Sequence, residues 1–182
     1  MKKILQSKEA VLRKIAKEVN IREIKTPKIQ KILKEMSASL RSQDDGVAIA
    51  APQIGYSLRI FVVSGRILEA EFSEQNLSQD TKKDESKTKT VKVPDLVFIN
   101  PKILKLSRDK AWVPEGCLSV RPIYGKTYRS TKALVTAHDE HGKKFQRGAS
   151  GLLAQIFQHE TDHLNGILFI DHAKDLKEEK PK

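Results

Sequence analysis

The sequence predicts an α+β domain in which N-terminal helices and mostly antiparallel, short-stranded sheets pack around a central helix. That helix carries His-Glu-x-x-His. Three observations lead there. Apolar residues in the first forty positions recur at helical spacing. From Asp95 onward, short β-branched and aromatic runs alternate with turn residues. Near the end, the apolar stripe Leu152, Leu153, Ile156 and Phe157 runs directly into His159-Glu160-Thr161-Asp162-His163.

Taken in order, Leu12, Ile15, Ala16 and Val19 fall at i, i+3, i+4 and i+7 and predict a first helix. Thr26-Pro27 is a cap followed by proline at the first helical position, and Ile29, Ile32, Leu33, Met36 and Leu40 continue the period of a second helix. It ends near Ser42 to Gly46. Small residues then follow, Gly46, Ala48, Ala50 and Ala51, which let another chain approach the backbone closely. Pro52-Gln53-Ile54-Gly55 turns the chain into a strand from Arg59 to Val63.

Residues 69–92 are rich in Ser, Thr, Gln and Lys and lack periodicity, so they read as a mobile insertion within one domain spanning 1–182. Leu96 to Ile99 is a buried-strand run closed by Asn100-Pro101. Ile103, Leu104 and Leu106, then Ala111 to Val113, suggest further short strands leading to Glu115. Ala133 to Ala137 and Lys144 to Gln146 flank Asp139-Glu140-His141-Gly142, a hairpin connection. A solvated turn accounts for His138 and His141 more simply than metal ligation does. For the last helix, Ser150 is a candidate N-cap and Asn165-Gly166 a stop signal; residues 173–182 form a charged tail.

Residues four apart on a helix lie about 40° apart around its axis and about 6 Å apart along it. His159 and His163 can therefore reach one metal ion from one face, with Glu160 beside them facing a water. Catalytic zinc-type sites use three protein ligands. Cys117, the single cysteine, completes a Cys-His-His set that suits Fe(II) or Zn(II). The alternative is a small buried hydrophobe, but Glu115, Gly116 and Ser119 make its neighbourhood polar and open.

Composition narrows the class. With 38% hydrophobic and 31% charged residues the chain is that of a soluble protein, and no apolar run approaches the ~20 residues of a membrane helix. Met1-Lys2-Lys3 is followed only by Ile4-Leu5, too short for a signal-peptide core. A lone cysteine excludes an intrachain disulfide and fits a reducing cytoplasm. The net charge of +11 draws the chain to anionic surfaces. The lysines are nevertheless spread along the chain without arginine–aromatic interleaving, so solvated faces are expected rather than a specific nucleic-acid contact.

Three stretches together resemble the peptide deformylases. They are Gly46-Val47-Ala48-Ile49-Ala50-Ala51-Pro52-Gln53, Glu115-Gly116-Cys117-Leu118-Ser119 and His159-Glu160-Thr161-Asp162-His163. They match the family's G-x-G-x-A-A-x-Q, E-G-C-L-S and H-E-x-D-H in order, with Ala48 replacing the second glycine. The resemblance implies hydrolysis of the N-formyl group from the N-terminal methionine of nascent peptides, releasing formate. It implies one divalent metal, natively Fe(II), with Zn(II) or Ni(II) able to occupy the same ligands.

It further implies that Glu160 carries the proton, and that the Gln53 amide and the backbone N–H of Leu118 meet the developing oxyanion. Read without the resemblance, Gln53 is equally a turn amide bonding its own loop. Substrate backbone would run beside Gly46, Val47, Ala48 and Gly116. The methionine side chain would enter a pocket of Val47, Leu152, Ile156 and His159, where Gln155 stands in place of an apolar wall residue. Arg129 falls where the family has a structural arginine, and is expected to pair with Glu115 or Asp162 and hold the ligand-bearing segments in place. Since deformylases act on chains leaving the ribosome, the basic charge suits contact with the ribosome surface.

Two rival readings stand beside this one. A metallopeptidase cutting internal bonds would use the same His-Glu-x-x-His but give Cys117 and Gln53 no part. A non-enzymatic RNA-binding domain with a structural metal would normally close its site with four protein ligands, and three are evident.

Overall fold

The computed structural model describes residues 2–67 and 93–179. The insertion expected at 69–92 lies outside them, as do residues 180–182 of the expected tail. Helix α1 spans Pro27–Arg41 with Thr26 as N-cap, and α2 spans Gly151–Leu164. The strands are β1 (Ala48–Ala50), β2 (Ile60–Val63), β3 (Leu96–Leu106), β4 (Lys110–Gly116), β5 (Ile123–Ser130), β6 (Lys132–His138), β7 (Lys144–Ser150) and β8 (Lys174–Glu178). An antiparallel sheet runs β1-β2-β3-β6-β7 and a second runs β4-β5-β8. The α+β class is as the sequence predicts.

The larger sheet is covered on both faces, which explains why Ile60-Phe61-Val62-Val63 is an unbroken apolar run. Phe61 and Val63 face one way and, with Phe98, Val135 and Ala137, pack against Leu153, Ala154, Ile156 and Phe157 of α2. Ile60 and Val62 face the other way and, with Val97 and Ile99, pack against Ile29, Ile32, Leu33, Met36 and Leu40 of α1. The rings of Phe61 and Phe98 stack 4.4 Å apart, and Phe157 meets Phe98 edge-on at 5.1 Å. Each such core side chain contributes roughly 1.5–3 kcal/mol by leaving water.

The helix expected over Leu12 to Val19 is not formed. Only a 3-10 turn, Ala10–Arg13, stands there, and Ile15 is 74% exposed. The backbone groups of this stretch find partners elsewhere instead. Ala16 N–H donates to the Leu164 carbonyl, Lys17 N–H to Ser57, and Val19 N–H to the Asn100 side chain. Leu12, Ala16 and Val19 are buried as the pattern demands, but by an extended strap across three segments.

The strand expected to close at Asn100-Pro101 continues to Leu106. Asn100 adopts φ +50, a conformation asparagine tolerates, and the register shifts there. Its amide returns a second bond to the Val19 carbonyl. The hairpin over 139–142 forms as expected, with Asp139 Oδ1 accepting from the His141 and Lys143 amides. The charged stretch after Ala173 is not merely a tail, for Lys174–Glu178 pairs with β5 as an exposed edge strand.

Candidate metal and catalytic site

Helix α2 carries His159, Glu160 and His163, with the buried face of the helix fixing their direction. Strand β4 ends at Gly116 and delivers Cys117 to the same place. The Sγ of Cys117 lies 3.2 Å from His163 Nε2, and the ligand atoms of Cys117, His159 and His163 all fall within 4.8 Å of one another. Among the described residues no other such group occurs. His141 is largely exposed, and neither it nor His138 joins the cluster.

The strand segment is held to the helix by ions. Glu115 is 5% exposed. Its Oε1 accepts from His159 Nδ1 at 2.6 Å and from Arg129 Nη2 at 2.7 Å. Its Oε2 accepts from Thr127 Oγ1 at 2.5 Å, Arg129 Nε at 3.0 Å and Gln155 Nε2 at 3.2 Å. Arg129 Nη1 donates to Asp162 Oδ2 at 2.6 Å. Arg129 thus bridges both acids that were alternatives for it, one on β4 and one on α2. Burial pushes the Glu115 carboxyl up, but His159 and Arg129 outweigh it and hold the group far below the ordinary carboxylate range.

An ionised Glu115 can only accept, so His159 Nδ1 bears the proton of that bond and Nε2 is left as the ring nitrogen that a cation would take. Burial, helped by His159, keeps His163 well below its usual pKa and so neutral, as a ligand must be. Burial also works against charge on His159, yet Cys117, Glu115 and Glu160 raise its pKa well above normal. An entering cation therefore displaces a proton there. One thiol and two imidazoles, one of them held by a carboxylate, together fit a divalent transition metal.

Glu160 is 3% exposed and its Oε2 is buried without a hydrogen-bond partner. Burial raises its pKa to about 7, against the opposing effect of His159. A carboxyl poised there can both take and give a proton near neutrality.

Gln53 makes the turn bond read for it and also faces the cysteine. Its Oε1 accepts from the Ala50 amide at 2.8 Å within its own loop, while Nε2 lies 3.1 Å from Ser119 Oγ and 3.5 Å from Cys117 Sγ. Leu118 follows Cys117 in the turn after β4, and its carbonyl accepts from Gln6.

A cleft of about 430 Å³ opens beside this cluster, lined in part by Val47, Ala48, Gly116, Leu118, Leu152 and Ile156. Gly46 does not line it; a Cβ there would meet Leu40 at 3.0–3.1 Å, so its smallness answers to α1. At Gly116 a Cβ would lie 2.5 Å from the Tyr124 ring, so any other residue would displace that ring. Gln155 also reaches the rim, donating to the Pro114 carbonyl at 2.8 Å.

Sequence reasoning missed Thr127 and the supporting role of Ser119. The alternation Gly125, Thr127, Arg129 was the available signal for Thr127, but Ile123 to Ser130 was not read as a strand.

The family model for polypeptide deformylase matches residues 1–179. A peptide deformylase of Desulforudis audaxviator is 34% identical over 177 residues, covering 97% of this chain and 96% of the relative. The chloroplastic/mitochondrial peptide deformylase 1A of Arabidopsis thaliana is 37% identical over 168 residues, covering 92% of this chain and 60% of that longer relative. The structure is similar to the Met-Ala-Ser-bound class I type b peptide deformylase of Acinetobacter baumannii. That match has a TM-score of 0.76 and 28% identity, and covers 94% of this chain and 98% of that one. The motifs, the clustered ligands and these likenesses agree: the chain belongs to the polypeptide deformylase family, the hydrolases that remove the N-formyl group from newly made proteins.

Proposed function

We propose that Cys117, His159 and His163 hold one divalent ion and that the adjoining cleft deformylates the N-terminal methionine of nascent peptides. The observation that carries this is the convergence of three ligand atoms within 4.8 Å beside a buried carboxyl, Glu160, that has an unpartnered oxygen. When bound, the ion supplies Lewis-acid polarisation of the formyl carbonyl and acidifies water. Fe(II) is the expected native ion, and the same ligands suit Zn(II) or Ni(II).

Glu160 takes a proton from the attacking water and delivers it to the amine as the carbon–nitrogen bond breaks, leaving formate and a free N-terminus. The Gln53 carbonyl is committed to Ala50, which directs its NH₂ toward the sulfur side of the cleft. That NH₂ and the Leu118 N–H donate to the oxygen on which negative charge develops.

Substrate backbone lies along Val47, Ala48 and Gly116. The methionine side chain enters among Val47, Leu152 and Ile156, where Leu152 is 50% exposed and gains an apolar neighbour. The whole chain, 1–182, acts as one catalytic unit, with 69–92 an insertion. No helix among the described residues is long and apolar enough to cross a membrane. The charge of +11 suits the anionic ribosome surface from which nascent chains emerge.

The test is formate release from formyl-methionyl peptides by wild type, Glu160→Gln and Cys117→Ser, with metal analysis of each. Glu160→Gln retains metal and loses about 10²–10⁴-fold or more in turnover; Cys117→Ser binds metal more weakly. Normal turnover in Glu160→Gln would overturn the assignment of the proton carrier.

A further inference from the structure

The three-stranded sheet has an outer face that the chemistry above does not use. Along β4, Ala111, Val113 and Glu115 point inward, while Lys110, Trp112, Pro114 and Gly116 share the outer side. Opposite them on β5 stand Ser130, Tyr128, Lys126 and Tyr124, and β8 adds Lys174 and Lys177 opposite Lys126 and Tyr124.

Trp112 and Tyr128 are 47% and 52% exposed, with ring centroids 5.2 Å apart. Lys174 Nζ sits 4.9 Å from the Trp112 ring and Lys110 Nζ 5.7 Å from the Tyr128 ring. Lys126 pairs with Asp175 at 3.1 Å. Two large half-exposed rings among three lysines outside that pair, Lys110, Lys174 and Lys177, make a face shaped for an anionic partner with some apolar surface.

This face is continuous with the cleft, because Pro114, Gly116 and Tyr124 line both. Trp112 lies four residues from Gly116, about 13 Å along the strand. An extended peptide covers that span with about four residues.

We infer that the outer face of β4-β5-β8 binds an acidic segment of the polypeptide substrate, beginning at about its fifth residue. This rests on the deformylase reading of the cleft. Charge complementarity sets the sign of the partner, and continuity with the cleft makes that partner the downstream part of the substrate itself. Carboxylates meet the ammonium groups of Lys110, Lys174 and Lys177, and apolar side chains lie on Trp112 and Tyr128. Each exposed contact is weak, but the segment is tethered to the end held in the cleft, so its binding is intramolecular. Nothing on this face touches the reacting carbonyl, so it lowers KM and leaves kcat unchanged.

The test uses the metal-loaded enzyme and formyl-methionyl decapeptides that are identical over the first four residues. The remaining positions carry either Asp and Glu or Lys. The acidic peptide has a KM about five- to tenfold lower at low salt, and the gap closes as ionic strength rises. Kcat is the same for both. The pair Lys110→Glu with Lys174→Glu, and separately Trp112→Ala with Tyr128→Ala, erases the gap while turnover of a formyl-Met tripeptide, too short to reach the face, is unchanged.

Equal KM values in wild type overturn the inference, as does a gap that survives both double variants. If the gap is absent and Trp112→Ala with Tyr128→Ala instead weakens binding of a fluorescent single-stranded RNA, the face belongs to nucleic acid and the inference is overturned. No turnover of the tripeptide by metal-loaded wild type would sink the deformylase reading, and this inference with it.

Discussion

On one side of α2 the five-stranded sheet presents Phe61, Phe98 and Val135, and receives Leu153, Ala154 and Phe157. On the other, the three-stranded sheet presents Glu115, Thr127 and Arg129, and receives Gln155, His159 and Asp162. The first contact is dry and stabilises the fold through burial. The second takes three charges out of water, an arrangement that returns little net stability even when fully paired. Its benefit is orientation, since Glu115 fixes the His159 ring and Arg129 fixes Glu115 against α2. One face of the helix holds the protein together, and the other aims its ligands.

Arg129→Ala should give the largest departure from wild type, because it strands the buried Glu115 and the half-buried Asp162. Stability should fall by about 3–5 kcal/mol, and metal affinity of the folded protein by about 10–100-fold. Denaturant melts and a metal-competition titration would read the two effects; unchanged values in both would remove the orienting role.

Phe98→Ala, on the dry side, should also cost about 3–5 kcal/mol, but with metal affinity of the folded fraction intact. Loss of affinity there would erase the contrast between the two faces. Thr127→Val is milder. It removes one donor from the buried Glu115 carboxylate and should cost about 1–3 kcal/mol, with a measurable loosening of metal.

The smallest effect belongs to a partly exposed surface pair, Arg13 with Asp171 at 2.5 Å. Slight burial raises the Asp171 pKa, but Arg13 and the Leu168 amide lower it further, so the net shift is downward. The pair therefore stabilises the fold above the ordinary aspartate pKa, and that gain is lost as pH falls through the folded-state value. Asp171→Asn should cost about 0.2–1 kcal/mol at neutral pH and nothing in strong acid. A difference that persists in strong acid would argue against the ion pair as its source.

Much of this was legible in the chain. The α1 stripe, Ile60 to Val63, the hairpin at 139–142 and the shared helix face of His159 and His163 follow from residue type and spacing, and Cys117 was a candidate third ligand by its donor chemistry. Arg129 was placed by family likeness with two partners open, and the fold uses both. The stretch Leu12 to Val19 misled because three buried residues on an extended strap can fall by chance at helical spacing. Ile123 to Ser130 escaped notice because its inward positions are Gly125, Thr127 and Arg129, which look like an exposed loop until Glu115 and Asp162 are set against them.

By itself, the sequence determined which residues could ligate a metal and which runs had to be buried, because period and donor chemistry are local properties. Only the tertiary structure decided how Glu115, Thr127, Arg129 and Asp162 join into one network, and that Trp112 and Tyr128 stand side by side among lysines. Those neighbours come from different strands, and cross-strand register is set by packing between distant segments.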